Sequence, residues 1–182
     1  MGVGRFVYTP ILPLMHAQAG LSAGNGASLA TANYVGYFVG AALGTSAVVS
    51  RSVAALRISL VILTASLAAM PLTQSTAAWL ALRLVVGVCS ALIFVIAVSA
   101  LLSHLRDHPA HLPGWAFGGV GAGIALSGLL VLALRTMADR RAAWWAAACL
   151  AALLAAPSWS LRPEPSAAAT PDATDTREPS PC

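Results

Sequence analysis

Arg5 and Arg83 stand within or beside long apolar stretches, and no Asp or Glu shares those stretches with them. An unpaired guanidinium is expensive to bury, so an arginine in such a place ordinarily faces a partner or a wet path. Tyr8 follows Arg5 by three residues, and Asn33 and Tyr37 lie one helical turn apart in the next apolar stretch. Thr9, Thr31 and Tyr34 add further hydroxyls. Cations, an amide and phenols in apolar surroundings can hold a polar or anionic solute by charge and hydrogen bonding. They cannot house a proton relay of carboxylates, because the apolar segments contain none. The plainer alternative for Arg83 is that it snorkels outward from near the start of its segment.

Other chemistries find little to work with. His104, His108 and His111 share a loop with Asp107, but Pro109 and Pro113 interrupt it, and a solvated loop describes it better than a metal site. Cys89, Cys149 and Cys182 make no CxxC pair or disulfide framework, and the first two read as small apolar residues in apolar runs. There is no Ser-His-Asp set or P-loop, and the glycines from Gly118 to Gly123 follow no strand, so they make no dinucleotide fingerprint. We therefore expect no enzyme, no cofactor and no metal.

The elements that position these residues follow from composition. Of 182 residues, 58% are hydrophobic and 9% are charged, against about a quarter charged in soluble domains. Lipid is the solvent this balance fits. The net charge of +4 comes from ten arginines, with no lysine, against six acids, and the arginines are scattered between apolar runs. That distribution marks loops of a membrane protein and argues against nucleic acid as a partner.

The expected fold is an all-α membrane protein, a six-helix bundle, because a bilayer demands that backbone polar groups be satisfied within each span. Apolar segments are expected near 6–19, 27–49, 58–72, 77–102, 115–134 and 142–156, forming one transmembrane domain over 1–161. Residues 162–182, rich in Pro, Ala, Ser and Thr, form a disordered tail. The first segment is short and contains Pro10 and Pro13. Its Ala17-Gln18-Ala19 imitates a secretory cleavage site, but the two prolines and Arg5 spoil the imitation, and a helix that begins upstream of Met1 explains the shortness better. With the amino terminus inside, Arg51, Arg57, Arg106 and Arg162 fall on the cytoplasmic side, as the positive-inside bias requires. Arg135, Arg140 and Arg141 then fall outside, against the bias.

Small residues recur every four positions on the second segment at Ser28, Ala32, Gly36, Gly40 and Gly44, and on the fifth at Gly119, Gly123 and Ser127. This spacing builds helix faces that admit another backbone closely without naming the partner.

Four stretches, in order, resemble the Major Facilitator Superfamily and its YbfB/YjiJ-type branch: GVGRFVYTPILPLM, ATANYVGYFVGAALG, LRLVVGVCSALIFVIAVSALLSHL and GWAFGGVGAGIALSGLLV. Arg83 to Gly87 is similar to that superfamily's fourth-helix R-x-x-x-G element. The fifth segment resembles its antiporter-type motif without the usual Gly-Pro pair. Ser50 to Arg57 departs from the acidic and basic gating motif, since it offers arginines only.

The resemblance covers about residues 2–161 and implies the amino-terminal half of a fold in which two six-helix halves rock about a central cavity. It further implies a secondary active transporter, of efflux type, in the cell inner membrane as a multi-pass protein. The substrate path would then be lined by Arg5, Tyr8, Asn33, Tyr37 and Arg83, and the second and fifth helices would face the other half. A second copy of the chain or a separately encoded half would complete the cavity for an unknown small solute. The rival reading is a non-transporting membrane protein, either a truncated remnant or an assembly subunit that pairs through its glycine faces.

Overall fold

The computed structural model describes residues 2–104, 112–134 and 139–159, and within them every regular element is helical. The tail, the loop with Arg106, Asp107, His108 and His111, and Arg135 lie outside the described residues, as does the side chain of His104.

The chain opens with α1 (Gly2–Phe6) and α2 (Tyr8–Ala19). Arg5 is thus inside a helix that starts earlier than the apolar count suggested. Val7 keeps a right-handed helical backbone, and the bonds from Val7 N–H to the Val3 carbonyl (3.0 Å) and from Ile11 N–H to the Val7 carbonyl (3.4 Å) carry the helix through the junction. Pro10 and Pro13 supply no N–H, so the helix loosens there without ending. Gly20, with φ 63°, then closes α2.

α3 (Ala23–Gly44) begins and ends earlier than its apolar stretch. The Ser22 side chain accepts from Asn25 N–H at 3.1 Å, so the Gly-Asn-Gly run that looks like a turn is in fact the first helical turn. A short α4 (Ala47–Ser50) leads to α5 (Val53–Ala69), capped by Ser52 on Ala55 N–H at 3.1 Å. Arg57 therefore sits on α5 and not in the preceding loop. A 3₁₀ turn (Met70–Leu72) joins α5 to α6 (Thr76–His104), which is followed by α7 (Leu112–Leu134) and α8 (Arg140–Ser158). Asp139 caps α8 on Ala142 N–H at 2.8 Å.

By length and composition, three stretches are apolar enough to cross a membrane: Val53–Leu72, Thr76–Ser103 and Phe117–Leu134. The protein is an all-α membrane protein. Glycine and polar residues in α3, the broken α1 and α2, and the arginine pair opening α8 keep those helices below that threshold, although six apolar segments are legible in the sequence.

The tightest pairing is α3 on α6. A Cβ built at Gly36 would collide with the backbone of Leu84, one at Gly40 with Val88, and one at Gly87 with the backbone of Asn33. Gly44 lies under Val95. The glycine face of the second transmembrane segment is therefore filled by α6 of the same chain, which corrects the expectation that it waits for another half. α7 behaves differently. A Cβ built at Gly123 would touch Gly2 of α1 at 3.4 Å, whereas one at Gly119 would meet nothing within 4 Å among the described residues.

The core gathers Val7, Ile11 and Met15 from α2 with Leu56, Leu67, Ile96 and Trp144. Cys89 is buried, as a small apolar residue should be, but Cys149 is exposed. Arg140 explains part of the charge anomaly. It is only 6% exposed, stacks 5.7 Å from the centre of the Trp79 ring, and its backbone N–H donates to Gln18 Oε1 at 2.6 Å. This arginine is built into the bundle and is not a free loop cation.

Gly36→Ala and Gly87→Ala should each cost about 1–3 kcal/mol, because the new methyl meets backbone that cannot step aside. Gly119→Ala should leave stability unchanged or raise it by up to about 1 kcal/mol through helix propensity. Thermal unfolding of the purified variants in detergent measures both.

Candidate functional site

The close approach of α3 and α6 places the polar residues. With no side chain at Gly87, the Asn33 backbone lies against α6, and Asn33 Nδ2 donates to the Arg83 carbonyl at 3.0 Å. Asn33 is 2% exposed, so this bond satisfies an amide that would otherwise be stranded. The sequence places Asn33 and Tyr37 on one stripe, but it gives no hint that the asparagine's partner lies on the fourth segment.

Arg83 is equally buried, at 2% exposure. It does not reach outward to an interface. Its guanidinium carbon sits 4.6 Å from the centre of the Tyr8 ring, and Nη2 donates to the Arg5 carbonyl at 3.4 Å. That carbonyl lies at the end of α1, beside the junction with α2. Nε and Nη1 of Arg83 have no acceptor among the described residues. Tyr8 is fixed in turn by its hydroxyl, which donates to the Gly26 carbonyl at 2.9 Å and ties α2 to the first turn of α3.

Arg5 lies beside this pair in an aromatic surround. Its guanidinium carbon is 4.0 Å from the Tyr37 ring centre, 5.1 Å from Tyr34 and 5.3 Å from Phe6. These distances are within cation–π reach. Arg5 is only partly buried, Tyr34 is 59% exposed, and Arg5 Nε has no acceptor. All five residues singled out in the sequence thus fall in one neighbourhood, linked through Arg5–Tyr37, Arg83–Tyr8 and Asn33–Arg83. Thr9 and Thr31 stay exposed, and Thr31 Oγ1 returns to its own helix at the Ala27 carbonyl.

Two further residues were not singled out by the sequence. Ser90, two turns along α6 from Arg83 on the same face, is fully buried with a hydroxyl unpartnered among the described residues. The helical spacing Arg83, Gly87, Ser90 was available to find it. Phe6 closes one side of the Arg5 box, and nothing in its spacing announces that.

The only acid among the described residues is Asp139, and its carboxylate caps α8. The site therefore carries two guanidiniums and no anionic group of its own. Such a site attracts negative charge and supplies hydrogen-bond donors in excess of acceptors.

The family model described as an uncharacterised MFS-type transporter, YbfB, matches residues 1–181. The chain belongs to this family. No curated protein and no solved structure matches it. Membership makes the protein a membrane protein of a transporter family. Of the residues in its site, Arg83 and Gly87 are joined by structure as well as by spacing, since the glycine admits the α3 backbone whose Asn33 grips the Arg83 carbonyl.

Tyr8→Phe should keep the ring under Arg83 and lose only the bond to Gly26, lowering stability by about 0.5–1.5 kcal/mol. Tyr8→Leu removes the ring face as well and should cost more. Parallel thermal unfolding of the two variants in detergent separates the hydroxyl from the ring.

Proposed function

We propose that the protein is a secondary active permease of efflux type for a small solute, working by alternating access as one six-helix half of a Major Facilitator fold. Arg5, Tyr8, Asn33, Tyr37 and Arg83 line its path, and it sits as a multi-pass protein in the cell inner membrane. The observation that carries this reading is Arg83, a cation buried in an apolar bundle with donors left unmade. A fold that needed only stability would fill that position with an apolar side chain at lower cost. Family membership supplies transport as the activity such a site serves. The efflux direction rests on the likeness of the α7 glycine run to an antiporter-type motif.

The open face of α7 favours a second reading, an assembly subunit that gains its partner in the membrane. A Cβ at Gly118, Gly119, Gly121 or Gly128 would meet nothing within 4 Å among the described residues, and Phe117, Leu129 and Leu132 are exposed beside them.

Flux in proteoliposomes distinguishes the readings. The chain, alone or with a second six-helix chain, should move a labelled solute down an imposed gradient, and Arg83→Gln should reduce the rate at least about tenfold. Absence of flux in both preparations, with a stable complex seen by native mass spectrometry, would leave the assembly reading in its place.

A further inference from the structure

The permease reading does not say what kind of solute the path accepts. The charge and hydrogen-bond inventory of the site does. Arg83 is held at 2% exposure between the Tyr8 ring and the Arg5 carbonyl, and its Nε and Nη1 donors have no acceptor among the described residues. Arg5 lies next to it, partly exposed, with an unpartnered Nε. The two residues meet through the Arg5 backbone, with the Arg83 guanidinium over Tyr8 and the Arg5 guanidinium over Tyr37, so the neighbourhood carries two cations. Their joint environment contains phenols and one amide already committed to a backbone carbonyl. The one carboxylate among the described residues is occupied at the start of α8.

A cationic solute would be repelled by both guanidiniums. A neutral solute would leave both charges uncompensated. An oxyanion compensates this charge and accepts from donors without another acceptor among the described residues, which makes charge-assisted hydrogen bonds. The aromatic rings around Arg5 shape the rest. Tyr34 and Tyr37 offer flat apolar surface at the more exposed end, where the body of an organic anion could lie while its charged group meets the arginines.

We propose that the Arg5–Arg83 pair is a binding site for a small organic oxyanion, a carboxylate or a phosphate ester, and that this is the class of solute the path accepts. Arg5 meets the anion first among the tyrosines, and Arg83 holds it deeper in the bundle. The assignment rests on the permease reading for its meaning in transport, but binding can be measured apart from flux.

The test is equilibrium binding by the full chain in detergent, with benzoate and inorganic phosphate as probes and benzylammonium as the cation of matched shape. Saturable binding of at least one anion is expected, with benzylammonium weaker by about tenfold or more. Arg83→Gln should weaken the anion about tenfold or more, in line with the loss of a charged hydrogen-bond partner. Should that variant fail to fold, Arg5→Gln is read in the same way. Equal affinity for the cation, no saturable anion binding, or unchanged affinity in the folded variants would overturn the proposal. So would a chain that binds neither anion but loses a co-purified second polypeptide when Arg83 is changed, because the arginines would then serve a protein carboxylate. Anion binding without flux would remove the permease reading and leave the site standing. Flux of a neutral or cationic solute without anion binding would do the reverse.

Discussion

The contact of α3 with α6 at the level of bare backbone is the constraint on which the rest depends. Gly36, Gly40 and Gly87 bring the two helices so close that any side chain at these points would strike main-chain atoms. In lipid, where apolar surface gains nothing by leaving one hydrocarbon for another, such close packing and the hydrogen bonds it permits are what hold helices together. Asn33 reaches the Arg83 carbonyl only because Gly87 is there to let α3 in. The register of that pair then fixes where the Arg83 side chain leaves α6, and so places it over Tyr8 and under the Arg5 carbonyl.

What that geometry positions is an energetic liability. A guanidinium with unmade donors, shielded from solvent, lowers the stability of the bundle that contains it. The surroundings offset part of the cost through the Tyr8 ring and one carbonyl, and leave the remainder for something not held by the helices themselves. Arg140 presents a milder version. It too is buried with one unpartnered nitrogen, but it rests on Trp79 at the start of a helix, beside Gln18. Its burial shows why a tally of arginines per loop misjudged that end of the molecule.

Much of this was legible from residue types. Apolar runs with almost no charge announced helices in lipid, and the spacing of Gly36, Gly40 and Gly44 announced a close helix contact. The same spacing could not say which helix would fill the groove. Gly119 carries the identical signature and stands open, since a missing side chain permits an approach without supplying the surface that makes it. Helix starts were misplaced where capping decided them. Ser22 and Ser52 begin α3 and α5 earlier than apolar content does, because a side-chain oxygen satisfies backbone donors that hydropathy does not register. The five polar residues of the site stand out in the sequence as misplaced in apolar segments, and in the fold they lie together. The bonds that join them span 50 residues from Asn33 to Arg83 and 78 from Arg83 to Arg5, distances over which helical periodicity carries no information.

If Arg83 is retained for what it binds and not for what it stabilises, replacing it with an apolar residue of similar length should separate the two. Thermal unfolding of Arg83→Met beside the unchanged protein, both in detergent without added solute, is the most direct measurement. A melting temperature equal to or above that of the parent chain is the expected result, since burial of the charge is relieved. A clear fall in melting temperature would mean that the guanidinium is a structural brace, and would contradict the assignment of this cluster to a solute path.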